Sequence, residues 1–226
     1  MDRTIFEPLD AYCERLGPGL WAEPVNALTN LAFVIAAAIA LGRLGRPAPP
    51  LGFALVAVLA LIGAASGLFH TFANVATALL DSAAIAIFVL VYLFAVNRHV
   101  LGLSRGAAWL GLGLFFPYAA LAGTAFAQVP AFSISAPYWP VALLIALYGL
   151  ALRRVRPEFA RGLLIGAGLL CVSLAARSAD LRLCGALPVG THFLWHVLNA
   201  MMLFWMIEIY RRAIGAERLA AAPPRG

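Results

Sequence analysis

The stretch Thr191-His192-Phe193-Leu194-Trp195-His196-Val197-Leu198-Asn199 lies in the last hydrophobic run of a 226-residue chain. It carries two of the chain's 4 histidines, four positions apart. On an α-helix that spacing puts both imidazoles on one face, about 6 Å apart along the axis, where they can grip one metal ion. A histidine is costly inside an apolar helix, and membrane segments keep ionisable groups mainly for function. Taken alone, the pair has a second reading: two separate histidines, each hydrogen-bonded to a neighbouring helix. Other polar outliers weigh against it. Ser66 and His70 repeat the four-residue spacing at the end of an earlier apolar run, and Asp81 opens the run after that.

The elements that must position these residues follow from composition. The chain is 63% hydrophobic and only 12% charged, with a mean hydropathy of +0.92. A soluble core cannot use so many apolar residues, whereas each membrane-spanning helix needs about 20. The expected fold is therefore all-α, a polytopic integral membrane protein. Apolar runs at about 25–42, 51–71, 77–97, 107–127, 138–152, 162–178 and 191–210 predict a bundle of seven transmembrane helices. The fifth run is the shortest and begins among Pro137 and Pro140. The organisation read from this is an extracytoplasmic segment 1–24, a seven-span domain 25–212 and a flexible tail 213–226. No cleavable signal peptide is expected, because the first apolar run starts near Val25, after an acidic segment. Pro47, Pro49 and Pro50 punctuate the first loop.

All 16 basic residues are arginine, a composition that fits a GC-rich bacterial source. The net charge of +6 does not mark a nucleic-acid partner, because the arginines are scattered through short loops and the tail. Loops one, three and five and the tail hold twelve arginines, among them Arg43, Arg46, Arg98, Arg105, Arg153, Arg154, Arg218 and Arg225. The other side holds Arg3, Arg15, Arg177 and Arg182. By the positive-inside rule the N-terminus is outside and the C-terminus cytoplasmic, and the membrane is expected to be a bacterial inner membrane.

On that topology His70, Asp81, His192 and His196 share one depth, near the extracytoplasmic side, although they are far apart in sequence. Three imidazoles on zinc leave the fourth tetrahedral position open, the form used in catalysis. Zinc would acidify a bound water and polarise a carbonyl. Asp81 could accept the water's proton or orient a histidine; its rival role is a helix N-terminal charge held by the macrodipole. Ser66 could steady an oxyanion, or it could simply bond a carbonyl one turn back. His99 and Glu208 read as interfacial groups at the opposite end. Cys13 and Cys184 both fall on the outer, oxidising side while Cys171 lies within span six, which predicts a Cys13–Cys184 disulfide holding the loop that carries Asp180.

In order and spacing, Ser66-x-x-x-His70, Asp81, Asp180-x-x-x-Cys184 and His192-x-x-Trp195-His196 resemble the alkaline ceramidases. These belong to a superfamily of seven-span membrane hydrolases that includes the progestin and adiponectin receptors. Cys13-Glu14 and Glu23-x-x-Asn26-x-x-Thr29-Asn30 are similar to the opening elements of those enzymes. The resemblance covers about residues 10–210 and implies zinc on His70, His192 and His196, with Ser66 and Asp81 completing the site. It implies supporting roles for Asn26, Asp180 and Trp195, and a calcium site on Asp10, the Tyr12 carbonyl, Glu14 and Glu23. The sequence departs from the pattern at Ser82 and Leu16 and in the shorter 14–23 segment. The expected activity is zinc-dependent hydrolysis of the amide of ceramide or another N-acyl membrane lipid, giving fatty acid and amine. The alternative is a receptor-like or lipid-binding protein with a structural zinc. No broken-helix pair or mid-membrane charge speaks for a transporter. Acyl length, head group and oligomeric state are not encoded in any motif of the sequence.

Overall fold

Long apolar runs must close their backbone hydrogen bonds internally, and in the computed structural model they do so as helices. The structure describes residues 5–45 and 49–220. Arg3, Arg46, Pro47, Arg225 and residues 221–226 lie outside the described residues, and of the flexible tail expected over 213–226 the stretch 213–220 continues the last helix. The helices are α1 (Pro24–Thr29), α2 (Leu31–Arg43), α3 (Pro50–Phe72), α4 (Val75–Ala95), α5 (Arg105–Ala127), α6 (Trp139–Leu152), α7 (Pro157–Leu183) and α8 (His192–Ala220). No strand occurs among the described residues.

Six helical stretches are long and apolar enough to cross a membrane: Pro24–Arg43, Pro50–Phe72, Val75–Val100, Arg105–Ala127, Pro157–Leu183 and His192–Ala216. The first combines α1 and α2, which meet at Asn30, and the third extends α4 through a π-helical turn at Val96–Val100. At 14 residues α6 is shorter, about 21 Å at 1.5 Å per residue, so the count at full spanning length is six. Helix α7 outruns its expected span of 162–178 at both ends. Hydropathy falls where Arg177, Asp180 and Arg182 begin, but the backbone has no reason to leave the helix there.

The core sits among α2, α3, α4, α7 and α8, where Phe33, Leu55, Leu59, Ile62, Leu163, Leu174, Met206 and Ile207 are almost wholly enclosed. A Cβ on Gly63 would meet Phe33, Val34 and the Asn30 carbonyl at 3.0–3.1 Å, so glycine lets α3 approach the α1–α2 junction closely. Helix α5 buries only Ala108 and presents its apolar surface outward.

The segment before α1 is tied down at one end of the bundle. Leu9 N–H donates to Ala73 O at 2.7 Å, Ala76 N–H to Ile5 O at 2.8 Å, and Pro8 and Asn74 form an isolated bridge. The segment thus follows the turn between α3 and α4. Its far side is fastened by the Cys13–Cys184 disulfide, with Cα atoms 5.3 Å apart, as the cysteine pattern predicts. Cys171 is free and exposed.

Candidate metal centre

Near the C-terminal end of α3 and in the first turns of α8, His70, His192 and His196 converge with ligand atoms all within 4.8 Å of one another. All three are buried. Their ring centroids are 4.6–5.1 Å apart. Residues 126 positions apart therefore share one centre, which the two four-residue spacings allow and the packing of α3 on α8 completes.

Each ring needs an orienting partner, and two have one. His70 Nδ1 lies 2.6 Å from the Glu23 carboxylate, so it carries the proton and donates it, leaving the Nε2 lone pair free. His196 Nδ1 lies 2.9 Å from Thr29 Oγ1, whose own hydrogen goes to Val25 O at 2.8 Å. That makes His196 Nδ1 the donor as well. The two Nε2 atoms then face each other at 3.0 Å, lone pair to lone pair. His192 Nδ1 is buried without a hydrogen-bond partner, and the ring stacks on Tyr12 at 3.6 Å. Two opposed lone pairs and one orphaned nitrogen, all neutral imidazole in type, suit a borderline-soft divalent cation.

Asp180 fixes where α8 begins. Its Oδ1 accepts from the N–H groups of Thr191 and His192 at 2.6 and 2.8 Å, and its Oδ2 accepts from Cys13 N–H at 2.9 Å. One buried carboxylate so caps the helix carrying two histidines and anchors the disulfide loop. Gly190 makes this possible: its φ is +69°, and a Cβ there would collide with Asp180 Oδ1.

Ser66 is buried one turn before His70 on α3, and Asp81 lies in the second turn of α4, which packs against α3. Asp81 Oδ1 is buried and without a partner. Trp195 is buried, three residues after His192 and directly before His196, its carbonyl accepting from Ser173 Oγ at 3.2 Å. Asn26 is buried, donating from Nδ2 to Glu23 at 3.3 Å.

Among the described residues the carboxylates of Asp10, Glu14 and Glu23 do not gather into a second group of ligands. Asp10 is exposed. Glu14 accepts from the N–H groups of Val25 and Asn26 at 2.6 and 2.8 Å, capping α1, and the Tyr12 carbonyl accepts from Arg15 N–H at 3.2 Å. Glu23 binds His70 on one oxygen and the buried Arg15 guanidinium on the other. Burial pushes the Glu23 carboxyl up, but the hydrogen bonds from His70 and Arg15 and the Arg15 charge outweigh it and hold it below the usual range.

Three residues at the centre were not singled out as site residues from sequence. Arg15 and Arg177 read only as topology markers, and Thr29 only as part of a motif. The one available signal was that arginines on the sparsely charged side need a reason to be there. Arg177 donates from Nη1 to Ile134 O and Ser135 Oγ at 3.1 and 3.2 Å and lies over the Tyr138 and Trp195 rings at 5.2 and 5.9 Å. Burial pushes the phenol of Tyr12, which stacks on His192, up to about 12.

An apolar cavity lies in the bundle between α4, α6, α7 and α8, and the three histidines do not line it. It begins one turn beyond Asp81 at Ile85 and beside His196 at Trp195 and Asn199, and continues to Val96 and Met206. No protein-family model matches the chain, and a search of curated proteins finds no match either.

Proposed function

We propose that the protein is a zinc-dependent amide hydrolase of the membrane, acting on an N-acyl lipid and releasing fatty acid and amine. The observation that carries this reading is the convergence of three buried histidines next to an apolar cavity, whose lining residues Trp195 and Asn199 flank His196 on α8 and whose Ile85 lies one turn beyond Asp81 on α4. An acyl chain has the shape and polarity of the cavity, and its amide would then lie at the histidines. The resemblance of the histidine, serine and aspartate pattern to alkaline ceramidases supports the same reading, with ceramide or another N-acyl lipid as substrate.

His70, His192 and His196 would hold the metal, the first two steadied from outside by Glu23 and by stacking on Tyr12, the third by Thr29. Zinc, when bound, supplies a Lewis acid that polarises the amide carbonyl and acidifies water. Asp81 accepts the proton of the attacking water and returns it to the leaving nitrogen, since an amide expels its amine only when that nitrogen is protonated. The Ser66 hydroxyl orients the Asp81 carboxylate. The positive charge beside Glu23 comes from Arg15, so this reading uses zinc and no calcium at Asp10, Tyr12, Glu14 and Glu23.

In the same reading α6 is the seventh crossing, the N-terminus is outside, and the centre faces the outer leaflet of a bacterial inner membrane. The arginine distribution supports that orientation, as does a disulfide at the same end as the centre. Asp81→Asn tests the chemistry. It should keep its zinc and fold while fatty-acid release falls about a hundredfold or more. Undiminished release from zinc-replete Asp81→Asn protein would refute the role given to this carboxylate.

A further inference from the structure

Arg177 is the one cation near the centre that the proposed chemistry does not use. It sits on α7 three residues before Asp180, while Trp195 sits on α8 three residues after His192. Because Asp180 caps His192, Arg177 and Trp195 are each about 4.5 Å further into the bundle, at one level. The two rings over which the guanidinium lies, Tyr138 and Trp195, both line the apolar cavity.

No carboxylate pairs with Arg177 among the described residues. Asp180, the nearest in sequence, gives its oxygens to Cys13, Thr191 and His192. A guanidinium has five donors, and the hydrogen bonds to Ile134 and Ser135, both from Nη1, account for two. A half-buried guanidinium with spare donors and no counter-ion, stacked on two rings of the cavity lining, is arranged to receive a planar anion. The cavity itself is lined by apolar side chains for most of its length, so that anion belongs to the head of the lipid and not to its chain.

Building on the amidase reading, we propose that Arg177 receives a carboxylate on the amine side of the scissile amide. The substrates are then acidic lipids of the N-acyl amino acid type in preference to neutral N-acyl alcohols. Arg177 is a specificity residue here: it touches the head group, and Asp81 and the histidines attend to the amide.

The test uses two ligands that cannot be cleaved, made by replacing the amide nitrogen of N-palmitoylglycine and of N-palmitoylethanolamine with a methylene. Their affinities for the full-length, zinc-loaded protein in detergent are read by tryptophan fluorescence. Wild type should bind the carboxylate ligand at least about tenfold more tightly, the scale of one charge-assisted contact. Arg177→Gln should bring the two affinities within about threefold of each other, and Arg177→Lys should fall between. Using a ratio within each variant cancels losses of folded protein. A preference unchanged in Arg177→Gln would overturn the proposal by assigning the carboxylate to another group, the metal included. Equal affinities in wild type would overturn it as well. Hydrolysis of the parent amides is followed separately. A preference that depends on Arg177 without any hydrolysis keeps this inference and removes the amidase reading, whereas hydrolysis without preference does the reverse.

Discussion

The Nε2 atoms of His70 and His196 face each other at 3.0 Å, each ring turned by a hydrogen bond on its other nitrogen. Two imidazoles on one tetrahedral zinc, at about 2.05 Å each, would have their nitrogens about 3.3 Å apart. The protein part of the centre is therefore near its metal-binding geometry, with the orientation of both rings built into the fold. About one zinc per chain is expected by elemental analysis of purified protein. His70→Ala, His192→Ala and His196→Ala should each lose most of it, and a normal metal content in His196→Ala would remove the assignment.

The groups behind the histidines should tune affinity without abolishing it. Thr29→Val keeps the side-chain shape but leaves His196 Nδ1 without its acceptor, so zinc affinity should fall about tenfold, at the lower end for such partners. Glu23→Gln should cost more, because it weakens the hold on His70 and also strands the buried Arg15 guanidinium. Competition with a chromogenic zinc chelator measures both. Equal affinity in Thr29→Val and wild type would show that the hydroxyl does not orient the ring.

Asp180 and Gly190 form one joint between α7, the disulfide loop and α8. Gly190→Ala places a methyl group against the Asp180 carboxylate at a φ that L residues avoid. A cost of about 1–3 kcal/mol follows from the backbone conformation alone, before the collision. Thermal unfolding in detergent should show a lower Tm, and zinc should be lost earlier because His192 starts at this joint. An unchanged Tm would mean that the loop can be rebuilt without Asp180.

The disulfide acts through the same joint. In non-reduced, alkylated protein Cys13 and Cys184 should be unmodified and Cys171 modified. Cys13→Ser with Cys184→Ser should loosen the opening segment, seen as faster proteolysis near Leu16–Trp21, where Leu16, Leu20 and Trp21 are exposed. Modification of Cys13 and Cys184 in wild type would contradict the pairing.

Much of this centre was legible because polar residues in apolar runs stand out. His70, Asp81, His192 and His196 are rare letters in such runs, and the helix period fixes which of them share a face. The cysteine pairing was legible for a similar reason, since only two cysteines fall on one side of the membrane. Arg15, Thr29 and Arg177 were not legible as site residues. Arg15 acquires its role when the opening segment folds back over the end of α3, Thr29 when α1 packs on α8, and Arg177 when the 134–138 stretch packs on α7 and α8, and no local pattern encodes those contacts. The same fold-back explains the acidic residues of that segment. Glu14 and Glu23, calcium ligands by the resemblance, meet a helix start and an arginine in three dimensions. The break at Asn30 was invisible too, because hydropathy runs unbroken from α1 into α2.

Calcium and zinc separate cleanly by experiment. A chelator selective for calcium should leave both Tm and fatty-acid release unchanged, because Arg15 already supplies the charge beside Glu23. A calcium-dependent rise in Tm that is lost in a Glu14→Gln protein would restore a calcium site to this segment.

The central claim is that the three histidines carry a zinc used for lipid amide hydrolysis. One measurement tests it most directly: fatty-acid release from N-acyl lipids by the same purified sample as isolated, after zinc chelation, and after zinc is returned. Release that is present, then lost, then restored in proportion to zinc bound is the predicted result. A protein that binds one zinc at His70, His192 and His196 and releases no fatty acid from neutral or acidic N-acyl lipids would contradict it.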